Sequence, residues 1–217
     1  ETAVQIVKET INAFDACHKA GIIHRDIKPG NLFYRNADGS DILVGDFGIS
    51  SQFDVEDGMS KHFTQAAART EGYSAPEVYS GVIGSELDYY SLGITLWELL
   101  IAKEPFVNEN GNNMFPNEIM LNTIQGKMCD LLLSRAPELS PRMKNLIRGL
   151  MITRHDKRWN HDLVSRYLNG EEIPLFQEVT SIPSVTIGST ECTSFKDISQ
   201  ILITGSQEAR DFVYKGL

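Results

Sequence analysis

His24-Arg25-Asp26-Ile27-Lys28-Pro29-Gly30-Asn31 packs three polar chemistries, a carboxylate, an ammonium and an amide, into eight residues. Pro29 and Gly30 break regular structure, so Asp26, Lys28 and Asn31 project from one turn rather than from a helix face. Before this turn, Val4, Val7, Ile11 and Phe14 recur at helical spacing, and Gly21 supplies a helix stop. After it, two short apolar runs at 32–34 and 42–44 flank Asn36-Ala37-Asp38-Gly39 and predict a small hairpin. Asp46-Phe47-Gly48 follows the second run, placing another carboxylate close behind the turn. A carboxylate is a hard oxygen donor of the kind a hard dication takes. Alone, the eight-residue stretch is also consistent with a capped polar turn between helix and hairpin.

Further along, residues 50–69 are polar and long for a structureless connection unless functional. Helices are predicted over 88–102, 117–124 and 161–168, and another starts at Ser140-Pro141, with Ser as N-cap and Pro in the first turn. Met143, Leu146, Ile147, Leu150 and Met151 give that last one its buried stripe. A strand is expected at 185–187 and helices at 195–203 and 207–214. The chain has 217 residues, 41% of them hydrophobic and 23% charged, enough for one sizeable core or two small ones. A net charge of -9 argues against a general nucleic-acid or anionic-membrane binder. Residues 89–102 are apolar but interrupted and too short to span a bilayer. Cys17, Cys129 and Cys192 suggest neither a disulfide framework nor a zinc cluster, which makes a reducing cytoplasm the expected location. Trp97 and Trp159 read as core residues, and His18, His62, His155 and His161 as solvent-facing or capping groups.

The turn fits H-R-D-x-x-x-x-N, and with D-F-G at 46–48 and A-P-E at 75–77 the chain resembles the eukaryotic-type (Hanks-type) serine/threonine protein kinases. That resemblance implies a kinase large lobe, mainly α-helical with a small β-hairpin at the catalytic site. Asp26 would accept or orient the hydroxyl proton, Lys28 would steady the migrating phosphoryl group, and Asn31 and Asp46 would hold Mg²⁺ against ATP. Phe33 is similar in position to the floor of the adenine pocket, where the family usually has an aliphatic residue. His24 and Phe47 resemble members of a stacked hydrophobic spine, and Gly48 completes the metal-loop turn. Thr70 looks like the hydroxyl that bonds the catalytic Asp and Lys in the Ser/Thr-directed branch. Arg69 stands where many relatives have Gly, and Gly30 where basic-directed kinases often have Glu. Arg25 implies control by phosphate on the activation segment, with Thr64 as first and Ser60 as second acceptor. Asp88 resembles the scaffolding Asp of the central helix, and Arg158 the late Arg that pairs with the Glu of A-P-E, here Glu77.

The family's Gly-rich loop, strand Lys and partner Glu are found nowhere in the sequence. The chain is therefore expected to be a fragment, with residues 1–170 forming the C-terminal lobe and 171–217 an accessory tail or the start of a further module. A protein substrate and ATP are the expected partners, with no nucleic acid and no membrane span. Apolar surface around Ile22, Ile23 and Phe33 suggests self-association. Two alternatives stay open, a pseudokinase or scaffold binding module and a small-molecule phosphotransferase of the aminoglycoside type.

Overall fold

The apolar spacing of Val7, Ile11 and Phe14 is realised in α1 (Thr2–Lys19) of a computed structural model that describes residues 2–36, 41–48, 51–52, 72–108, 110–176, 185–187 and 190–192. All three side chains are buried, and Gly21 takes φ +73° just past the helix, a left-handed conformation that favours glycine. The chain groups into two compact units, residues 1–176 and 177–217.

In the first unit α1 leads to β1 (Ile22–Ile23), which pairs antiparallel with β4 (Ser51–Gln52). β2 (Leu32–Tyr34) and β3 (Ile42–Val44) form the hairpin, with Leu32 opposite Val44, Phe33 opposite Leu43 and Tyr34 opposite Ile42. A short 3₁₀ turn, Pro29–Asn31, feeds β2 directly, so the polar turn is welded to the hairpin. The Glu9 carboxylate on α1 accepts the Ile42 N–H and fastens the hairpin to the helix.

The core forms around α2 (Glu86–Ile101), in which Leu87, Tyr89, Tyr90, Leu92, Ile94, Leu96 and Trp97 are all buried. A helix apolar on every side belongs inside. Its buried polar residues are satisfied: Thr95 donates to Ser91 O and Ser91 to Tyr73 O, each at 2.8 Å. Around α2 lie α3 (Pro116–Ile124), α4 (Met128–Ser134), α5 (Pro141–Leu150) and α6 (His161–Leu168). The α4 helix had no sequence signal, because its seven residues are too few to show a period. Ser140 Oγ accepts the Met143 N–H and Asn160 Oδ1 the Leu163 N–H, capping α5 and α6. No helix among the described residues is long and apolar enough to cross a membrane.

Gly149 on α5 lies against Trp159, which is buried and donates its backbone N–H to Gly149 O at 3.0 Å. A Cβ at 149 would sit 2.1 Å from the indole Cδ2. Helix propensity alone would make Gly149→Ala stabilising by about 1 kcal/mol. The clash reverses that sign, and a net loss of about 1–3 kcal/mol is expected in urea denaturation. A gain in stability would show that Trp159 has room to move.

In the second unit β5 (Val185–Ile187) pairs antiparallel with β6 (Thr190–Cys192), Thr186 facing Glu191. The helices expected at 195–203 and 207–214 lie outside the described residues.

Candidate functional site

Asp26, Lys28 and Asn31 converge on one carboxylate oxygen. Asp26 Oδ2 lies 2.7 Å from Lys28 Nζ and accepts from Asn31 Nδ2 at 2.9 Å. The same Asn31 amide donates to the Asp26 backbone carbonyl at 2.7 Å. Because Nδ2 is spent on Asp26, the geometry turns the Asn31 Oδ1 acceptor away from that residue. Gly45 N–H donates to Asn31 O at 2.9 Å, so Asp46 is anchored next to Asn31 although it is distant in sequence. Asp46 Oδ1 accepts the Gly48 N–H at 3.3 Å. A carboxylate and an amide oxygen on adjacent anchored backbones fit a hard cation such as Mg²⁺.

Both motifs are strained. Arg25 has φ +69° and Asp46 φ +61°, left-handed conformations that ordinary L residues avoid. Around Arg25 the strain is held by Asp88, fully buried near the start of α2. Its Oδ1 accepts Arg25 N–H at 2.8 Å, while its Oδ2 accepts His24 N–H at 3.0 Å and lies 2.8 Å from His18 Nε2. A buried carboxylate needs such donors. His24 is tied in twice: Nδ1 accepts the Asp26 N–H at 3.3 Å, which leaves Nε2 as the donor to Gly45 O at 2.8 Å. The Phe47 ring packs tilted against the His24 ring, with centroids 4.5 Å apart and planes 56° from parallel. Thr95 Oγ1 reaches Ile27 O at 3.3 Å and supports the turn from beneath.

Arg158 forks onto Glu77, Nη1 to Oε1 at 2.5 Å and Nη2 to Oε2 at 2.9 Å, with both side chains buried. Phe33 is half exposed on the hairpin. Thr70, Thr64, Ser60, Arg69 and His62 lie outside the described residues.

Two sequence expectations are corrected. His18 is not solvent-facing: its side chain is 12% exposed and hydrogen-bonded to Asp88. The signal was present, since position 18 extends the 7, 11, 14 stripe of α1 onto the same face. Ile23 is fully buried and Ile22 half-buried, whereas Phe33 is exposed as expected; among the described residues Tyr34, Leu43 and Phe47 join it as exposed large apolar side chains near the site. Ile22 and Ile23 lie in β1, which pairs with β4.

Tyr73 closes the stretch 70–73 that resembles the family's substrate-peptide segment, and its bond to Glu98 has no sequence signal. The Tyr73 hydroxyl donates to Glu98 Oε2, and its ring meets Phe106 edge-on, centroids 5.2 Å apart. Burial pushes the Tyr73 hydroxyl up, which keeps it a donor. Burial also pushes the Glu98 carboxyl above the ordinary carboxylate range; the Tyr73 bond opposes this and Glu104 adds to it. A carboxyl raised in the folded state holds its proton more tightly there, so its contribution is present at acid pH. That contribution is lost as pH rises from about 4 through the Glu98 value. Relative to Glu98→Gln, which cannot titrate, the parent should therefore lose stability over that window when urea midpoints are compared across pH. A constant difference between the two proteins would contradict this.

Residues 1–168 match the family model described as "Protein kinase domain". Calcium-dependent protein kinase 27 of Arabidopsis thaliana is 42% identical over 118 residues, 54% of this chain and 23% of that protein. Calcium/calmodulin-dependent protein kinase type 1 of Macrobrachium nipponense is 32% identical over 159 residues, 72% of this chain and 43% of that protein. Serine/threonine protein kinase OSK3 of Oryza sativa subsp. japonica is 34% identical over 148 residues, 66% of this chain and 27% of that protein. The chain thus spans less than half the length of each of these relatives.

Proposed function

Because the chain belongs to the protein kinase domain family, we propose that it forms the larger lobe of a serine/threonine protein kinase and transfers the γ-phosphoryl group of ATP to protein Ser or Thr hydroxyls. The observation that carries this reading is the convergence of Lys28 and Asn31 on Asp26 beside the anchored Asp46.

Phosphoryl transfer asks for alignment and charge placement more than covalent help. Asp26, oriented by two donors, accepts the proton of the substrate hydroxyl as its oxygen bonds to the γ-phosphorus. The bond from that phosphorus to the bridging oxygen breaks, and ADP leaves with the electron pair. Lys28, already beside the carboxylate, places its cation where charge moves during transfer. Asn31 and Asp46 are the residues that would hold Mg²⁺, which when bound neutralises charge on the phosphates. Phe33 would underlie the adenine. Thr70 would complete the Asp26 and Lys28 pair for Ser/Thr substrates, and Thr64 or Ser60 would carry the phosphate that docks near Arg25.

The Gly-rich loop and strand Lys, found nowhere in these 217 residues, would come from outside the chain. Alignment of reactants can account for about 7–11 kcal/mol of barrier reduction. Radiolabelled phosphate transfer to a generic protein should therefore be readily detected with the full-length protein and lost with residues 1–217 alone. Comparable rates would overturn the lobe assignment, and no transfer by the full-length protein would overturn the kinase reading.

A further inference from the structure

Arg135, the C-cap of α4, spends both terminal nitrogens on the loop that follows α2. Nη1 donates to Pro105 O at 2.7 Å and to Val107 O at 3.2 Å, and Nη2 donates to Glu104 O at 2.7 Å. The carbonyl between them, Phe106 O, accepts the Met114 N–H at 2.8 Å. All the carbonyls from 104 to 107 are thus fixed, and one side chain fixes every one except that of Phe106. The guanidinium is itself seated over Trp97, 5.1 Å from the ring centroid, and the same indole donates to Leu132 O of α4 at 2.7 Å. Arg135 is therefore where α2, α4 and the loop are tied together.

The loop carries Phe106, whose buried ring lies against Gly72 and Tyr73. Gly72 has φ +103°, and a Cβ there would lie 2.4 Å from Phe106 Cζ. Tyr73 is also bound to the face of α2 that supports the catalytic turn. Ser91 donates to Tyr73 O, Thr95 to Ile27 O, and Glu98 accepts the Tyr73 hydroxyl, positions that follow one another along one side of the helix. Burial, Glu98 and Glu104 push the Tyr73 hydroxyl up, and so does Asp26, which sets this ring within the field of the catalytic carboxylate. A hydroxyl presented to Asp26 thus arrives beside Gly72 and Tyr73. We propose that Arg135 is a positioning residue for the protein substrate: by fixing 104–107 it holds Phe106 against Gly72 and Tyr73, and so keeps that backbone where a substrate chain docks. This rests on the phosphotransfer reading above and extends it to a side chain whose own bonds go to neither the catalytic turn nor the Mg²⁺ residues.

The test is steady-state kinetics of the full-length protein toward dephosphorylated casein and toward MgATP, in Arg135→Met, Arg135→Lys, Phe106→Leu and the double variant of Phe106→Leu with Arg135→Met. Arg142→Met is the control, because Arg142 also donates to a pair of carbonyls, Tyr167 O and Leu168 O, and lies over an aromatic ring, but at the junction of α5 and α6. Arg135→Met should raise the KM for casein about tenfold through misplacement of the docking backbone. Its kcat and its KM for ATP should stay nearly unchanged, since Asp26 keeps Lys28 and Asn31. Arg135→Lys should fall between Met and the parent, because an ammonium can bond some of these carbonyls but lacks the planar fork. Phe106→Leu should show the same signature, and the double variant should be no worse than the worse single variant, because both act through one ring. Arg142→Met should lower the urea midpoint and leave all the kinetic constants alone. If Arg135→Met does not fold, Arg135→Lys and Phe106→Leu carry the comparison. An unchanged casein KM in the Arg135 variants, equal losses for ATP, additive effects in the double variant, the same KM rise in Arg142→Met, or failure of both Arg135→Lys and Phe106→Leu to fold would overturn the proposal alone. A parent protein that transfers no phosphate would overturn the phosphotransfer reading and this proposal with it.

Discussion

Asp26→Asn in the full-length protein is expected to slow phosphoryl transfer by roughly 10²–10⁴, the usual scale for a positioned proton acceptor. Asn has nearly the same shape, and the 2.9 Å bond from Asn31 can persist to its amide oxygen. What the substitution removes is the negative charge that faces Lys28 at 2.7 Å and the capacity to take a proton. The loss should appear in kcat, with the KM for ATP nearly unchanged, because Asp26 is assigned to the hydroxyl and not to the nucleotide. Near-normal turnover would take Asp26 out of this role. A defect confined to KM would move it to the nucleotide side.

The second large effect concerns stability. Arg158 uses its guanidinium completely: two bonds to Glu77, one to Ile152 O and one to Glu86 O at 2.9 Å each, and one to Thr153 O at 3.3 Å. Its plane also lies over Tyr90, 5.0 Å from the ring centroid. Arg158→Met would leave Glu77 charged and buried without its partner, at a cost of about 3–5 kcal/mol. That is a large part of the roughly 5–15 kcal/mol that holds an ordinary domain together. Urea denaturation should show the loss, and Glu77→Gln combined with Arg158→Met should recover part of it by removing the orphaned charge. A single variant as stable as the parent would mean that Glu77 finds water or another donor.

How legible these features were depends on how far apart their causes lie in sequence. The turn at 24–31, the hairpin at 32–34 and 42–44 and the cap at Ser140 are local, set by Pro, Gly and side chains within a few residues, and the sequence displays them directly. The Glu77 and Arg158 pair was readable only through resemblance, since nothing local links residues 81 apart. The bond from His18 to Asp88 was missed because a histidine on an apolar stripe was counted as polar surface instead of as the next position of that stripe. The contacts of Tyr73 with Glu98 and with Phe106 depend on how α2 and the loop after it come to rest in three dimensions. No spacing rule encodes such contacts, because they arise between elements after each has formed.

A serine/threonine protein kinase is defined by the chemical identity of its phosphate acceptor. The most direct measurement is incubation of the full-length protein with γ-labelled ATP, Mg²⁺ and a mixed protein substrate, followed by acid hydrolysis and separation of the phosphoamino acids. Label is expected on phosphoserine and phosphothreonine, reduced by Asp26→Asn in proportion to its loss of kcat. Label on phosphotyrosine alone, on a small-molecule hydroxyl with none on protein, or on no acceptor at all would contradict it.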